Sequence, residues 1–363
     1  MSERGRAWVE HLRRGGTTPW SSFDGGPSGL DDPQEGHLPG AQQLELLRRL
    51  NLAGSPSPDL VERVVRASAP GRGRPDLELV GAGPERRFGP RPVDPAALPD
   101  AELLRVATGL IALSVVRSAP PPVEPRRPRR WRTRYELVGD PYVATPLTAA
   151  LAADGRPPGG PGRAVLVLGA DLPTMLARVW ADRTLRGSVP PWPEFVARVH
   201  ARDQLPRRVD LAAVAARQRS LPGTGRVSVV LEPHALPGLL GVRTLPTVPP
   251  DLTEPAGELA RRVATAVSLH VTPPQQADLL ERVLLPRLVA SDAGPRPVVP
   301  PEHRDWVEDA AARLHRDLTR AGYPVVGDPG GVLPGPWESA DASPTVLDLA
   351  VRLLLDGPWE GVS

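Results

Sequence analysis

Two uninterrupted apolar runs constrain the fold of this chain more than any other feature. The runs "AVLVLG", residues 164–169, and "VSVVLE", residues 227–232, show no alternation of apolar and polar positions. Such runs are typical of strands that are buried on both faces of a parallel sheet. Helical patterns lie before, between and after them, so the sequence predicts an α/β fold over residues 133–358, with a doubly wound, mainly parallel sheet and right-handed crossovers.

The N-terminal part of the chain has a different composition. Gly, Pro, Ser and Asp dominate "GGTTPWSSFDGGPSGLDDPQEGHLPG", so we expect residues 1–40 to be an irregular lead-in with Trp20 and Phe23 as anchors. Residues 41–118 contain apolar residues at helical spacing and predict a helical N-terminal module. The run "SAPPPVEPRRPRRWRTR" then predicts a proline- and arginine-rich linker over residues 119–132.

Two absent residue types exclude several reaction classes. The chain has no lysine, so all 44 of its Lys-plus-Arg positions are arginine, and it has no cysteine. Without lysine, a standard GxxxxGK[ST] phosphate loop, a protein kinase and a Schiff-base enzyme are excluded in their usual forms. Without cysteine, thiol nucleophiles, cysteine-bound zinc and disulfides are excluded as well.

Metal and nucleic-acid binding receive little support from the sequence. The seven histidines are scattered, with no HExxH motif and no pair at helical spacing, so we expect no metal site. The formal net charge is only +2, which gives no argument for nucleic acid. The run "RRPRRWRTR", residues 126–134, could contact RNA or DNA phosphates with Trp131 stacking on a base, but a solvated linker accounts for it more simply.

The sequence also carries no targeting pattern. The first residues, "MSERGRAWVEHLRRGGTTPW", have charges every few positions and lack the apolar core of a signal peptide. No later window has the apolar length of a membrane-spanning helix. We therefore expect a cytoplasmic protein that does not contact a membrane.

The stretch "YELVGDPYVATPLTAAL", residues 135–151, predicts a strand, a loop over residues 139–145 and a helix. Thr145 followed by Pro146 is the pattern of a helix N-cap and a first helical residue. In a parallel sheet such a loop lies at the carboxyl end of its strand, where the free amides of the next helix attract anions. However, the loop contains no basic side chain, and Asp140 would repel a phosphate.

The longer stretch "LVGDPYVATPLTAALAADG" resembles the strand, loop and helix of bacterial sulfotransferase-like proteins, whose loop runs G-x-P-K-T-G-T-T. In that family, which has a P-loop fold, the loop binds the 5′-phosphosulfate of 3′-phosphoadenosine 5′-phosphosulfate. The frame of the motif is kept by Gly139, Pro141 and Thr145. Its chemistry is not kept, because other side chains stand at the lysine and at the remaining Thr and Gly positions: Tyr142, Val143, Ala144 and Pro146.

A second stretch, "VLVLGADLPTMLARVWADRTLRG", resembles the next nucleotide-contacting segment of the family, where an Arg-Asp pair ends a strand and a Ser lies on the following helix. Ala170 stands at the Arg position before Asp171, and Arg178 lies near the Ser position. The resemblance covers about residues 133–335 and implies a sulfotransferase-like P-loop fold. It implies that a nucleotide would contact the following residues: Gly139, Tyr142, Val143, Ala144, Thr145, Asp171 and Arg178.

One departure from the family bears on activity. Only the connection from Ala152 to Arg163 separates the loop helix from the next strand, where the family carries extra strands, helices and the catalytic acid-base residue. The sequence therefore favours a sulfotransferase-like protein with impaired or lost activity, no catalytic residue that can be named and no resident cofactor.

Two further functional expectations remain open. If the protein is active, it would transfer a sulfuryl group from 3′-phosphoadenosine 5′-phosphosulfate to an unknown acceptor. The amides of residues 143–145 and the Thr145 hydroxyl would then hold the phosphosulfate, and Arg178 would hold the nucleotide. The alternative is a noncatalytic interaction protein that meets a protein partner through residues 1–118.

Overall fold

The computed structural model describes residues 2–25, 38–67, 76–82, 91–118, 134–187, 189–292, 296–337 and 344–357. The chain divides into two compact units. The helical unit combines residues 1–120, 262–292 and 344–363, and the α/β unit combines residues 121–261 and 293–343. The linker expected over residues 119–132 lies outside the described residues, as does the arginine-rich run except for Arg134. The Arg134 guanidinium donates a hydrogen bond to the carbonyl of Pro161 at 2.7 Å.

The described residues form fourteen α-helices. They are α1 (Glu3–Arg13), α2 (Ala41–Ala53), α3 (Pro58–Arg66), α4 (Asp100–Arg117), α5 (Pro141–Ala153), α6 (Leu172–Arg186), α7 (Trp192–Arg202), α8 (Leu211–Arg219), α9 (Leu236–Leu240), α10 (Glu254–Val267), α11 (Pro273–Leu279), α12 (Leu285–Ser291), α13 (Arg304–Ala321) and α14 (Val346–Leu355). A π-helical turn, Leu280–Leu284, joins α11 to α12. Within the described ranges, none of these helices combines the length and the apolar content that crossing a bilayer requires.

Four strands form one parallel sheet in the described part of the α/β unit, in the order β1-β2-β3-β4. They are β1 (Tyr135–Gly139), β2 (Arg163–Leu168), β3 (Thr224–Val230) and β4 (Val325–Val326). The register pairs Gly139 with Leu168 and Leu168 with Val230, so the first three strands end at a common carboxyl edge. The two apolar runs of the sequence are the two inner strands, and the expectation of an α/β fold with a parallel sheet is confirmed.

Helices cover both faces of this sheet. Val165 and Val167 of β2 pack against α6, α7, α8 and α13, whereas Leu166 and Leu168 pack against α5 and α9. The strand order advances one step at each connection, yet α5 and α8 lie on opposite faces. The crossover from β1 to β2 and the crossover from β2 to β3 therefore have opposite hands. The expectation that all crossovers are right-handed is wrong for one of them.

The helical unit is built around α2 and α4. α4 is buried along most of its length, and α14 packs against both α2 and α4. The helical unit thus includes α14 and residues 262–292, which the sequence assigned to an α/β domain over residues 133–358. The sequence could not make this distinction, because an amphipathic pattern identifies the buried face of a helix but not the core that this face joins.

Part of the expected lead-in belongs to this unit as well. α1 is a regular helix, so the expectation of an irregular segment over residues 1–40 is wrong there. Trp8 and Trp20 are buried with their ring centroids 5.3 Å apart. Trp20 is therefore a core residue of the helical unit and is not available to a partner, while Phe23 is half-buried.

Candidate functional site

β1 and α5 are joined by a single residue, Asp140. The strand ends at Gly139, and the helix begins at Pro141. Asp140 is the N-cap of α5, because its Oδ1 accepts a hydrogen bond from the backbone N–H of Tyr142 at 3.0 Å. The chain therefore passes from strand to helix without a loop that could wrap around an anion.

The predicted loop over residues 139–145 is accordingly wrong. Thr145 and Pro146 lie inside α5, not at its start. The sequence contains two pairs of a capping residue and a proline in this region, Asp140-Pro141 and Thr145-Pro146. The hydrogen bond from the Tyr142 amide to Asp140 shows that the helix begins at the first pair. Pro146 then sits in the helix interior, where it removes one backbone donor from the α5 ladder.

Gly139 is required by the geometry of this junction. Its φ angle is 93°, a conformation that residues with a Cβ rarely adopt. A Cβ at this position would lie 2.3 Å from the carbonyl oxygen of Leu168 on the neighbouring strand. The match between Gly139 and the glycine of the sulfotransferase motif therefore has a structural reason that needs no ligand.

An arginine and two carboxylates fill the space beside the junction. Arg178 of α6 donates from Nη1 to Asp140 Oδ2 at 3.0 Å and from Nε to Asp251 Oδ1 at 2.6 Å. Asp140 is only 2% exposed. Because two acids share one guanidinium, the charge of Arg178 is neutralised within the α/β unit. We call Asp140, Arg178 and Asp251 the buried triad.

Asp140 and Tyr142 both have raised pKa values. Burial raises the pKa of the Asp140 carboxyl, and the charge and hydrogen bond of Arg178 oppose this rise. Burial also raises the pKa of the Tyr142 phenol, and the Asp251 carboxylate adds to the effect. The Tyr142 hydroxyl donates to the carbonyl oxygen of Pro250 at 2.9 Å. Tyr142 is thus an interior side chain with a satisfied hydroxyl.

Three other residues of the implied nucleotide site also have structural roles. Ala144 is buried between α5 and the sheet, and Val143 packs against the same core. Asp171 is the N-cap of α6, where its Oδ1 accepts from the backbone N–H of Thr174 at 2.9 Å. The structure does not gather Val143, Ala144 and Asp171 around one opening.

Two cavities lie beside the end of β1, and both are lined by Arg207 and Arg208. We call them the basic cavities. The first has a volume of about 250 Å³ and is lined also by Leu137, Val138, Gly139, Val214, Arg217 and Gln218. The second has a volume of about 400 Å³ and is lined also by Pro141, Thr145, Val179, Asp182, Arg183, Arg186 and Pro206. Of the seven implied site residues, Gly139 and Thr145 line these cavities.

The basic cavities hold arginines that lack a carboxylate partner. Arg207, Arg208 and Arg217 are exposed and make no side-chain hydrogen bond or ion pair with the described part of the chain. Asp182 is the acidic residue of the lining, and it accepts a hydrogen bond from Arg186 at 2.7 Å. The arrangement is therefore suited to binding an anion.

A pair of histidines, separated in sequence, meets elsewhere in the α/β unit. His200 Nδ1 and His303 Nδ1 are 3.0 Å apart, and the His200 ring stacks on Trp306 with centroids 5.2 Å apart. One imidazole nitrogen must donate this hydrogen bond and the other must accept it. Among the described residues, no group of three or more His, Cys, Asp or Glu side chains could hold a metal ion.

Comparisons with known proteins were made with family models, curated proteins and solved structures. None of the three comparisons finds a match for this chain.

Proposed function

We propose that the α/β unit is a sulfotransferase-like domain of the P-loop class that does not transfer sulfuryl groups. The main support for this proposal is the single-residue junction between β1 and α5. A loop that binds a phosphosulfate presents several backbone amides to the anion. Here the helix begins at once, and the Asp140 carboxylate already accepts from a first-turn amide. A second anion at this place would meet a buried negative charge.

The topology supports descent from a doubly wound sheet. In such sheets the helix after the first strand lies on one face and later helices lie on the other, because the chain reverses direction at a switch point. In an ancestral sheet, α5 would have led to a further strand on the outer side of β1. If that strand were deleted, α5 would remain on the same face of the sheet and would connect β1 directly to β2. That event would produce the pair of crossovers with opposite hands. The connection from α5 to β2 spans only residues 154–162, where the sulfotransferase-like family carries its extra strands and acid-base residue.

Hydrogen–deuterium exchange of the full chain tests the proposal. Arg207 and Arg208 line cavities beside this junction, so both are changed to Ala for the measurement. We expect that adenosine 3′,5′-bisphosphate at about 1 mM, enough to detect binding free energies of about −4 kcal/mol, then adds no protection to peptides that cover residues 139–144. These amides belong to the strand end and the first turn of α5, which face the protein's own carboxylate. Saturable protection of these peptides would contradict the proposal.

An activity measurement provides a second, independent test. Incubation with 3′-phosphoadenosine 5′-phosphosulfate and a panel of phenol, sugar and amine acceptors should release adenosine 3′,5′-bisphosphate no faster than buffer does. An active sulfotransferase in parallel reactions is the positive control. Release that exceeds the buffer rate and disappears in Arg178→Gln would contradict the proposal.

A groove on the helical unit favours a second candidate function, the binding of a protein partner. The groove has a volume of about 540 Å³, and its apolar wall includes Leu110, Leu113 and Leu269. Leu113 is 37% exposed and Leu269 is 74% exposed. The lining also holds two ion pairs, Arg63 with Asp59 and Arg66 with Glu62, and it has Arg117 and His270 as exposed groups outside these pairs. An acidic amphipathic helix fits this combination, because its apolar face would fill the groove and its carboxylates would meet the basic groups.

The groove can be tested with matched substitutions in the full chain. Leu113→Glu together with Leu269→Glu should release any helix-donating partner, whereas Leu52→Glu should not. Leu52 is 57% exposed and does not line the groove. The informative result is a protein retained by the wild type and by the Leu52 variant but lost with the double variant. If every retained protein survives the double variant, the groove is not the docking surface.

A further inference from the structure

We propose that the two basic cavities form one binding site for a small organic molecule that carries two phosphate groups. Arg207 and Arg208 would lie between the two groups, and each cavity would add its own outer arginine. This inference does not rest on the proposed function, because it uses neither the buried triad nor the amides of α5.

The charge of the lining supports a ligand with more than one phosphate. Arg207, Arg208, Arg217 and Arg183 have no carboxylate partner within the described residues, and the Arg183 guanidinium lies over the Phe195 ring, 5.6 Å from its centroid. These four guanidinium groups carry four positive charges. A phosphate monoester carries about −1.5 to −2 at neutral pH, so two such groups match the lining in charge.

The carboxylates close to these arginines in sequence or in the lining bond to other groups and, within the described residues, form no ion pair with Arg207, Arg208 or Arg217. Asp182 is bonded to Arg186. Asp210 caps α8, where its Oδ1 accepts from the backbone N–H of Ala213 at 2.9 Å. Asp203 accepts from the indole of Trp306 at 3.0 Å and is paired with Arg313. A concentration of like charge without internal compensation repels itself, and an anionic ligand would relieve this repulsion.

The shape of the site supports a small molecule. Volumes of about 250 and 400 Å³ fit the size of small-ligand sites better than that of a polymer groove. Leu137 and Val214 give the first cavity an apolar wall, and Val179 with Pro206 does the same in the second. These walls would contact the carbon skeleton between the phosphates.

Directional donors also face the site. Each guanidinium presents a planar fork of N–H groups that matches two phosphate oxygens. The Thr145 hydroxyl lines the second cavity and has no hydrogen-bond partner among the described residues. The sulfotransferase resemblance implied that Thr145 contacts a phosphosulfate. In the site proposed here, its hydroxyl would contact a phosphate group of the ligand in the second cavity.

Isothermal titration calorimetry of the full chain tests the site with defined probes. We expect saturable binding of fructose 1,6-bisphosphate and of pyrophosphate, with Kd below about 1 mM at low salt. Inorganic phosphate should bind at least tenfold more weakly, because it can occupy one cavity at a time. Raising the salt concentration should weaken all three, since the arginines are exposed.

Substitutions then locate the binding. Arg207→Ala with Arg208→Ala should weaken bisphosphate binding at least tenfold. Arg202→Ala with Arg226→Ala removes the same charge from exposed positions outside the lining and should change it less than threefold. Both pairs are exposed, so both variants should fold, and their melting temperatures can verify this.

Three outcomes would overturn the inference. One is the absence of saturable heat with fructose 1,6-bisphosphate and with pyrophosphate. Another is equal weakening by the two double variants, which would indicate nonspecific charge attraction. The third is that a short oligodeoxythymidylate binds more tightly than fructose 1,6-bisphosphate and pyrophosphate, and that this binding is lost in Arg207→Ala with Arg208→Ala. That result would indicate a nucleic-acid surface. Adenosine 3′,5′-bisphosphate also carries two phosphates, so the Arg207→Ala, Arg208→Ala variant separates the two proposals. Protection of residues 139–144 that persists in this variant contradicts the proposed function, whereas protection that is lost in it belongs to the basic cavities.

Discussion

The buried triad and the basic cavities lie at the same end of β1 and use arginine in opposite ways. In the triad, Arg178 is largely buried and donates to Asp140 and Asp251. In the cavities, Arg207 and Arg208 are exposed and have no carboxylate partner among the described residues. The first arrangement holds the fold together, and the second leaves its charge available to a ligand.

This contrast shows that an arginine near a strand end is not by itself a nucleotide ligand. The sequence resemblance pointed to Arg178 because of its position in a motif. The structure shows that carboxylates of its own unit bind its guanidinium. Arg207 and Arg208, which have no carboxylate partner among the described residues, lie on the turn before α8. If the contrast holds, substitutions in the triad should destabilise the fold, whereas substitutions in the cavities should leave its stability nearly unchanged.

Removal of the triad arginine should have the largest effect. Arg178→Ala leaves Asp140 buried without its partner, so we expect the free energy of unfolding to fall by about 3–5 kcal/mol at pH 7. Urea denaturation measures this loss. The control is Arg198→Ala, whose partner Glu194 lies one turn away on the exposed face of α7, and which should cost at most about 0.5 kcal/mol.

The same variant should depend on pH in a defined direction. Burial raises the pKa of Asp140 in the folded protein above its unfolded value, so its contribution to stability is fully present below the unfolded pKa and is lost as pH rises. Removing Arg178 removes a group that opposes this rise. We therefore expect the loss in Arg178→Ala to shrink as pH is lowered from 7 toward 4. A loss that is constant over this range would indicate that Asp140 is not buried as a charge.

Asp140→Asn should have an intermediate effect. Asparagine keeps a side-chain oxygen for the N-cap hydrogen bond to Tyr142, but it removes the charge that meets Arg178. Because a hydrogen bond to a charged group is lost, we expect about 1.5–3 kcal/mol of destabilisation. Asp140→Ala should cost about 1 kcal/mol more, since it also removes the cap. Equal losses in the two variants would argue against the capping role.

Tyr142→Phe should have a smaller effect. The variant loses the hydrogen bond from the phenol to Pro250, which corresponds to about 1 kcal/mol. Because burial raises the pKa of Tyr142, its contribution to stability is present below the unfolded pKa of about 10 and is lost as pH rises above it. Burial also raises the pKa of Tyr135, to about 12. Stability measured between pH 9 and 11 should therefore fall less steeply in Tyr142→Phe than in the wild type.

Arg207→Ala with Arg208→Ala should have the smallest effect on stability. Neither side chain is buried or paired with a described residue, so we expect a change within about 0.5 kcal/mol. A gain is compatible with this expectation, because like charges are removed. A loss above about 2 kcal/mol would mean that the cavities, like the triad, serve the fold.

The sequence predicted the inner strands well and the junction poorly, for physical reasons. A short continuous apolar run bounded by turn residues is typical of a strand that is buried on both faces, so β2 and β3 could be located from the sequence alone. The start of α5 could not, because Asp140 and Thr145 each precede a proline and offer the same capping chemistry. Only the hydrogen bond from the Tyr142 amide distinguishes them.

The candidate site was harder to predict because its parts are distant in sequence. Asp251 lies 73 positions from Arg178, and no local pattern signals their contact. Arg207 and Arg208 stand close to a helical pattern, which hides the turn that exposes them before α8 begins at Leu211. The one sequence signal for this exposed turn was a pair of adjacent arginines between a proline, Pro206, and a capping aspartate, Asp210.

The strand order has a consequence for association between copies of the chain. In the part of the chain that the structure describes, β1 and β4 are the two edge strands of the sheet, with five and two residues. Long, flat edges invite pairing with strands of other molecules, and short edges limit it. The N–H of Gly159 also donates to the carbonyl of Tyr135 at 2.8 Å, at the start of β1. The sheet therefore offers little backbone for intermolecular β-pairing, a property that favours resistance to fibrous aggregation.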